Sequence, residues 1–405
     1  MARKQSAPES SVSDGPLSDL RVVELGNIVA GPFAGSILAD LGADVVKVER
    51  PETGDLIRSA GETGDAIFAS LNRNKRSIAL NLKDEDDLRQ LYSLIEKADV
   101  FVENLGRGAP ERLGIGYDDL RALNGELIYL SIKGFQSGPY GGRAGMDVVA
   151  EAMSGLMSVT GESGRKPLRV GTSIADIGAA LYGVMGVFLA LRERDRTGAG
   201  QRVDGTLFES AAHWMGYWIT YADIYDTDPE PLGASHPGWG LYDIFETDGG
   251  WLFVGVTTER HWSAFCEATD LERLRHDDRF ETPADRRENK AELLELVQDH
   301  LGSYDRDSLL DALFEADVPA APVNNPSELL DDPGLEAAGL LARFDYETPA
   351  GERELQTVMA PVVGERFGPE QYRDPPDIGE HAADVRAEFG LDEDVAGSNQ
   401  TTDGG

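Results

Sequence analysis

The sequence has a single cysteine and few basic residues, and each shortage excludes a class of protein. Cys266 has no partner for an internal disulfide, which indicates a reducing compartment such as the cytoplasm. Lysine and arginine number 37 against 73 aspartate and glutamate residues, giving a net charge of −36. A surface this acidic should repel nucleic acid and anionic lipid. The excess acid is spread along the chain, as in halophilic proteins from salt-rich cytoplasms.

Several other signatures are also missing. The polar stretch 1–15 has no apolar core of a signal peptide, and no uninterrupted apolar run reaches the length of a membrane span. We therefore expect a cytoplasmic protein that does not bind membranes. The six histidines show no metal-ligand spacing, so we expect no metal site. The absence of a G-x-S-x-G motif argues against a Ser-His-Asp hydrolase.

The chain of 405 residues, 41% of them hydrophobic, is long enough for two domains with proper cores. From Leu20 onward, short apolar strands at 21–25 and 44–49 enclose a small-residue helix at 31–41. This βαβ alternation continues to about residue 157 and predicts an α/β fold with a mainly parallel, doubly wound sheet.

A shift in composition marks a second domain, because all five tryptophans lie between Trp214 and Trp262. Both chain ends are rich in small polar residues, which is typical of disorder. The predicted organisation is a disordered N-terminus at 1–17, the first part of a large domain at 18–224, a small domain at 225–325, a return segment of the large domain at 326–393, and a disordered C-terminus at 394–405.

Asp176 stands at the head of an apolar helix at 176–195, next to Ala175 and Gly178. Small neighbours would leave room for a bulky group beside the acid, as a carboxylate nucleophile requires. An aspartate at a helix start is also an ordinary N-cap, and the helix alone favours that reading.

Basic residues cluster at three strand ends, which is unusual in so acidic a chain. Arg50 follows the strand at 44–49, the segment 72–76 precedes a strand, and the loop 103–112 follows another. Ligands of open α/β sheets bind at strand ends, so the clusters predict one anion site for several phosphates, against the alternative of solvated surface charge. Glu49 occupies the position of a Rossmann ribose acid, and an NAD-dependent oxidoreductase stays open although G-x-G-x-x-G is absent.

Taken as a set, motifs between residues 18 and 390 resemble those of the class III CoA-transferases. That family includes formyl-CoA and carnitine CoA-transferases and the α-methylacyl-CoA racemases. The matching stretches are 31–32, 38–49, 54–55, 74–77, 102–104, 134–135, 175–176, 197–201 and 379–381. The resemblance implies a Rossmann-like large domain built from both chain ends, a smaller α+β domain, and an interlaced homodimer.

The resemblance also implies the chemistry and the binding residues. The catalytic carboxylate falls on Asp176, which would carry first an acyl-aspartyl anhydride and then an aspartyl-CoA thioester. The CoA-binding positions fall on Asn27, Ile28, Val29, Ala30, Arg50, Leu71, Lys75, Asn104 and Arg112. The implied substrates are an acyl-CoA and a carboxylic acid, with coenzyme A as part of a substrate and no permanently bound cofactor.

Departures from the family pattern narrow the set of activities that the resemblance implies. Met146, next to Asp147, replaces the histidine of the racemases, so two-base proton exchange lacks one partner. This favours a transferase over a racemase, and a non-catalytic acyl-CoA binder is a further alternative. Val29 replaces a glutamine of formyl-CoA transferase, which argues against formate and oxalate. The loop 233–238 is shorter than the glycine-rich lid of that enzyme.

The substrate acids follow only by analogy. The acidic surface suggests a haloarchaeal host, and similar family members act on succinyl-CoA and C5 dicarboxylates such as mesaconate. A diacid keeps a distal carboxylate that needs a cationic or hydrogen-bonding partner. We expect Arg143, Ser235 or His236 to supply it, with Met146 and Asp147 lining the same pocket. The alternative for Arg143 is a CoA phosphate or solvent, and for His236 simple packing.

Overall fold

The computed structural model describes residues 15–348 and 351–391. The predicted disordered ends, apart from residues 15–17, lie outside the described residues. The chain forms two compact units. Of the described residues, the larger contains those up to Leu156, then Arg169–Thr220, and then those from Asp332 onward, while the smaller contains Met157–Leu168 and Tyr221–Asp331. The domain boundaries drawn from the sequence stay a prediction.

The larger unit is built on a six-stranded parallel sheet. Its strands are β1 (Arg21–Leu25), β2 (Asp44–Glu49), β3 (Lys75–Ala79), β4 (Val100–Glu103), β5 (Ile128–Lys133) and β6 (Arg202–Thr206). The order is β3-β2-β1-β4-β5-β6, so the direction of winding reverses between β1 and β4. The predicted parallel, doubly wound sheet is confirmed, and ligands of such sheets bind at this reversal.

Helices cover both faces of the sheet because its central strands are apolar on both sides. The helices of this part of the chain are α1 (Ala30–Asp40), α2 (Gly61–Asn72), α3 (Glu85–Ile95), α4 (Ala109–Arg112), α5 (Tyr117–Leu123), α6 (Asp147–Ser154), α7 (Leu156–Val159), α8 (Ile174–Thr197), α9 (Leu207–Trp214) and α10 (Gly216–Tyr225), with a 3₁₀ turn at Leu56–Ser59. Val22 and Val102 face the cluster that contains residues of α1 and α8, whereas Val23 and Phe101 face the cluster of α3 and α5.

The 24-residue helix α8 carries Asp176 and has two unlike faces. Its Ala179 and Val187 are fully buried against the sheet, but Met185 is 56% and Leu189 71% exposed. By length and composition alone α8 could cross a membrane, with a mean hydropathy of 1.9, although 44% of that window is buried within the protein. The sequence pattern predicted this apolar helix but not its span-like length, because the uninterrupted apolar run 177–191 is bounded by Asp176 and Arg192.

The smaller unit is an antiparallel sheet packed against helices. Its strands are β7 (Tyr242–Thr247), β8 (Gly250–Gly255) and β9 (Ala320–Pro322), and its helices are α11 (Glu259–Ala268), α12 (Pro283–Glu288), α13 (Lys290–Leu301) and α14 (Arg306–Glu315), with 3₁₀ turns at Glu272–His276 and Pro326–Asp331. Cys266 lies in its apolar core, where burial raises the thiol pKa to about 12. The thiol therefore stays protonated and behaves as a small apolar group.

The last described segment returns to the larger unit. It contains α15 (Pro333–Ala337), a hairpin of β10 (Leu341–Thr348) and β11 (Gly351–Val358), and α16 (Ala382–Phe389). Val385 and Phe389 of α16 lie in the same apolar cluster as Val23 and Phe101. The first described strand and the last described helix thus contribute to one core.

Candidate active site

A cleft of about 870 Å³ lies at the carboxyl ends of β1, β4 and β5, where the winding of the sheet reverses. This volume is in the range of small-molecule and cofactor sites. The cleft is lined by the turn after β1, the loop after β4, the segment 131–148 and the start of α8. Nine of the predicted site residues line it, namely Asn27, Ile28, Val29, Ala30, Asn104, Arg143, Met146, Asp147 and Asp176.

The turn after β1 is tied to the loop after β4 by two side chain–backbone hydrogen bonds. The Asn27 N–H donates to Asn104 Oδ1, and Asn104 Nδ2 donates to the Asn27 carbonyl, each at 2.8 Å. Gly31 permits this approach, because a Cβ there would lie 3.0 Å from Asn104 Oδ1. Val29 is the N-cap of α1 and provides no side-chain cap. The first amide groups of α1 are therefore left for a ligand of negative charge.

Asp176 lies in the first turn of α8 and is half-buried at the cleft. The helix is capped from outside by Asp147, whose Oδ1 accepts the N–H groups of Ala175 at 2.8 Å and Asp176 at 3.4 Å. Among the described residues, no hydrogen bond engages the carboxylate of Asp176. The capping role that the sequence left open for Asp176 therefore belongs to Asp147, and Asp176 is available for another role.

The small residues beside Asp176 serve a different purpose from the one predicted. A Cβ on Gly178 would lie 2.3 Å from the Trp214 ring, and one on Gly183 would lie 2.9 Å from the Leu130 side chain. These glycines therefore let α8 pack closely on α9 and β5. The expectation that small neighbours leave room for a bulky substrate is corrected, because Trp214 occupies that room.

Three acidic side chains surround the start of α8. Burial, and secondarily the negative charge of Asp147, raises the pKa of Asp176 to about 7. Glu151, one turn after Asp147 on α6, is fully buried and accepts the Val170 N–H at 2.8 Å through Oε2. Burial also raises the pKa of Glu151. Arg169 provides a partial counter-charge, with Nη2 3.4 Å from Asp147 Oδ2.

A pH profile should report this arrangement. If ionised Asp176 is required, kcat/KM should fall about tenfold per pH unit below pH 7, because protonation removes the reactive form. In Asp147→Asn the acid limb should move to lower pH, since removing a like charge lowers the pKa of Asp176 while the amide oxygen can still cap α8. An unchanged limb in Asp147→Asn would contradict this coupling. Asp44→Asn, which alters an ion pair with Arg76 at the opposite edge of the sheet, is the control.

The second basic cluster does not present its charges to a ligand. Arg73 pairs with Asp40, and Arg76 pairs with Asp44 and Glu388. Lys75 has no exposed surface, and its Nζ lies 2.6 Å from Glu24 Oε2. The expectation that this cluster, Lys75 included, contacts phosphate is therefore corrected. A buried cation is retained here because it neutralises a buried acid.

The other predicted binding residues lie outside the cleft lining. Arg50 and Arg112 are exposed beyond the carboxyl ends of β2 and β4, and among the described residues neither has a carboxylate partner. Leu71 is 9% exposed and belongs to α2. In the smaller unit, Ser235 Oγ donates to the Tyr242 carbonyl at 2.9 Å, and the His236 ring packs 4.3 Å from that of Trp239.

Glu49 does not fit the ribose-binding role. It is buried and receives Arg58 Nε at 2.9 Å, Ser77 Oγ at 2.7 Å and the Asp55 N–H at 3.0 Å. With its oxygens engaged by these donors, Glu49 is not available to a nucleotide hydroxyl. This weakens the dinucleotide alternative.

Sequence reasoning missed two polar residues near the cleft, Lys133 and Glu151. Lys133 lines the cleft and donates to both carboxylate oxygens of Glu103. Glu151 lies one turn after Asp147 on α6, where burial and secondarily Asp147 raise its pKa, and the spacing of four residues was the available signal. Arg107 belongs to the predicted basic loop 103–112 but was not among the named binding residues; it lines the cleft and has no carboxylate partner among the described residues. In the part of the chain that the structure describes, no group of three or more His, Cys, Asp or Glu side chains is arranged so that it could hold a metal ion.

The comparison with known families decides the class of this protein. The sequence model of CoA-transferase family III matches residues 17–382. The chain belongs to CoA-transferase family III. The predictions of the family and of the enzyme class are thereby confirmed, and a family III CoA-transferase uses CoA thioesters as substrates.

Related family III CoA-transferases match nearly the whole chain. The succinyl-CoA:mesaconate CoA-transferase of Haloarcula hispanica is 35% identical over 390 residues, which cover 93% of this chain and 97% of that protein. The succinate–glutarate CoA-transferase of Agrobacterium fabrum is 35% identical over 385 residues, with coverage of 92% and 96%. The crystal structure of a CAIB/BAIF family protein from Brucella suis matches with a TM-score of 0.85 and 34% identity, covering 93% of this chain and all of that chain.

Proposed function

We propose that this family III CoA-transferase moves CoA from succinyl-CoA to a C5 dicarboxylate such as mesaconate, with Asp176 as the covalent nucleophile. One observation carries the proposal. The Asp176 carboxylate lies at the cleft, without a hydrogen-bond partner among the described residues, at the start of a helix that another residue caps. The names of the relatives from Haloarcula hispanica and Agrobacterium fabrum support the choice of diacids.

The proposed reaction needs no redox partner or net proton transfer. The Asp176 carboxylate attacks the thioester carbonyl, the C–S bond breaks, and CoA thiolate leaves an acyl-aspartyl anhydride. The thiolate then attacks the aspartyl carbonyl and releases the donor acid. The acceptor carboxylate displaces CoA from the resulting aspartyl-CoA thioester, and the thiolate returns to the acceptor acyl carbon, which frees Asp176.

The surroundings of Asp176 suit such a nucleophile. A carboxylate whose pKa is raised to about 7 is more basic, and therefore a better nucleophile, than an exposed one, yet it is still ionised above neutral pH. Its half-buried position also limits the access of water, which would otherwise hydrolyse the anhydride. The start of α8 contributes partial positive charge where the oxyanion develops.

We propose that CoA lies along the turn formed by Asn27, Ile28, Val29 and Ala30 and against Asn104. The open N-terminus of α1 and the cation Arg107 provide positive charge at the same cleft. Arg50 and Arg112, exposed beyond the ends of β2 and β4, are the candidates for the outer phosphates. Leu71 and Lys75 would then lie beneath the CoA-binding surface and would not contact CoA.

Measurements of ligand binding and of turnover distinguish this proposal from the alternatives. Titration at high salt should give CoA binding without NAD binding, and a panel of acyl-CoA donors against acids should give transfer from succinyl-CoA. NAD binding without CoA binding would favour an oxidoreductase. Exchange of an α-proton without transfer would favour a racemase, although Met146 cannot act as a base. CoA binding without turnover over the whole panel would indicate a non-catalytic binder.

We also propose that the protein is a homodimer whose second copy covers the outer face of α8. This face carries the exposed side chains of Leu181, Met185 and Leu189, and Tyr217 and Ile219 of α10 are exposed in the same unit. Apolar patches of this kind mark interaction sites. Leu189→Glu should shift the sedimenting species from two chains to one, whereas Phe314→Glu, an exposed apolar site in the smaller unit, should not. A wild-type monomer would contradict the proposal.

A further inference from the structure

Four fully buried charges lie directly behind the turn that follows β1. Lys47 Nζ lies 2.9 Å from both Glu24 Oε1 and Asp55 Oδ2, and Lys75 Nζ lies 2.6 Å from Glu24 Oε2. The side chains of Glu24, Lys47 and Lys75 have no exposed surface, and that of Asp55 has none either. Burying ions in this way costs stability unless every partner is in place, so the network calls for an explanation beyond packing.

The network ends on the backbone of the turn. Asp55 Oδ1 accepts the Ile28 N–H at 2.9 Å, while its Oδ2 faces Lys47. Lys47 Nζ also donates to the Gly26 carbonyl at 3.0 Å. The residues on either side of Asn27 are therefore held by the same chain of charges.

Ile28 itself is in a strained conformation. Its φ is +68°, in the left-handed region that a β-branched residue rarely adopts. Strain of this kind persists only where the surroundings over-determine the conformation, and it is typical of ligand clamps. The Ile28 side chain is 44% exposed and lines the cleft, so packing of that side chain does not account for the conformation.

We propose that Asp55, fixed by Lys47, Glu24 and Lys75, is the positioning residue that holds the turn at Ile28 in the conformation that binds CoA. The inference rests on the proposed function and adds a role for four residues that touch no substrate. It also gives the buried Lys75 a role in shaping the turn that does not require contact with CoA. Gly35 of α1 leaves the space that this charge network needs, because a Cβ there would lie 2.0 Å from Glu24 Oε2.

The test is a cycle of variants assayed with succinyl-CoA. Asp55→Ala should raise the KM for the acyl-CoA roughly tenfold with kcat little changed, because the strained turn loses its anchor and relaxes. In the Ile28→Gly background the same substitution should cost much less, since glycine takes a positive φ without strain. Asp40→Asn is the matched control, because Asp40 is equally buried and ion-paired, with Arg73, but lies at the other end of α1.

Hydrogen exchange at the Ile28 amide provides a second measurement that does not depend on CoA. Exchange there should accelerate in Asp55→Ala but not in Asp40→Asn. Should the alanine variant fail to fold, Asp55→Asn should show a smaller acceleration, because its amide oxygen can still accept the Ile28 N–H but its NH2 group faces Lys47. Equal KM effects of Asp55 and Asp40 substitutions, no relief in the Ile28→Gly background, or unchanged exchange would overturn the inference. A wild-type protein without CoA binding or transfer would instead remove the proposed function, and the exchange result would still report on the turn.

Discussion

Replacing Asp176 with asparagine should abolish CoA transfer, with a loss of roughly 10⁴-fold or more, as expected when a covalent nucleophile is removed. The amide has nearly the same shape, so CoA binding and the packing of α8 should be kept. The measurement is the initial rate of transfer from succinyl-CoA at high salt, together with CoA titration of the variant. Near-normal turnover would return Asp176 to a structural role.

Stability provides the control for that experiment. Because folding raises the pKa of Asp176 from its ordinary value of 3.8 to about 7, this side chain lowers the stability of the fold progressively as the pH rises from about 4 to 7, and the loss is complete above pH 7. Asp176→Asn should therefore be at least as stable as the wild type at pH 8, and the difference should be largely lost near pH 4, where the aspartate is protonated in the folded state and about half protonated in the unfolded state. Thermal unfolding at the two pH values measures this. Loss of activity with a lower Tm at pH 8 would point to misfolding instead.

Removing the positive charge of Arg143 should lower kcat/KM for dicarboxylates much more than for a monocarboxylate of equal length. Arg143 lines the cleft, its guanidinium lies 4.6 Å from the centre of the Tyr140 ring, and no described carboxylate pairs with it. It is thus free to bind the distal carboxylate of a diacid. Losing one charge-assisted contact costs roughly 1.5–3 kcal/mol, about a tenfold to hundredfold decrease.

Arg107→Gln is the matched control for Arg143→Gln, since Arg107 also lines the cleft without a described carboxylate partner. A CoA-phosphate contact would make both acid types lose equally, and this is the pattern expected of Arg107. His236→Asn tests the other predicted diacid partner. Equal losses for both acid types in Arg143→Gln and His236→Asn, or a wild-type preference for monocarboxylates, would remove the diacid assignment and leave the transferase class unaffected.

The sequence was sufficient for the sheet because its strands are apolar on both faces. The strand at 44–49 was located to the residue, and α8 was predicted from 176 to 195 where the structure has Ile174–Thr197. The third strand was predicted to begin after residue 76 but runs from Lys75 to Ala79. Lys75 and Arg76 look like surface residues in the sequence, and only their long-range pairing with Glu24 and Asp44 allows them inside a strand.

The site residues also differ in how far they could be predicted, according to whether their partners are near or far in the chain. Residues next to each other in the chain, such as Asn27 to Ala30, were identified by resemblance and line one cleft. The cap on α8 comes from Asp147, 29 residues before Asp176, and the anchor of Ile28 comes from Asp55, 27 residues after it. No local pattern records such a pairing, because the partners meet only when the chain folds.

Trapping the covalent intermediate tests the central claim most directly. Wild-type enzyme is mixed with succinyl-CoA at high salt and treated during turnover with borohydride or hydroxylamine, and the modified residue is then located by peptide mass spectrometry. An aspartyl-CoA thioester on Asp176 predicts homoserine at position 176 after borohydride and the hydroxamate after hydroxylamine, with neither product in the absence of succinyl-CoA. Modification of a different residue, or no modification while transfer proceeds, would contradict the assignment of Asp176 as the nucleophile.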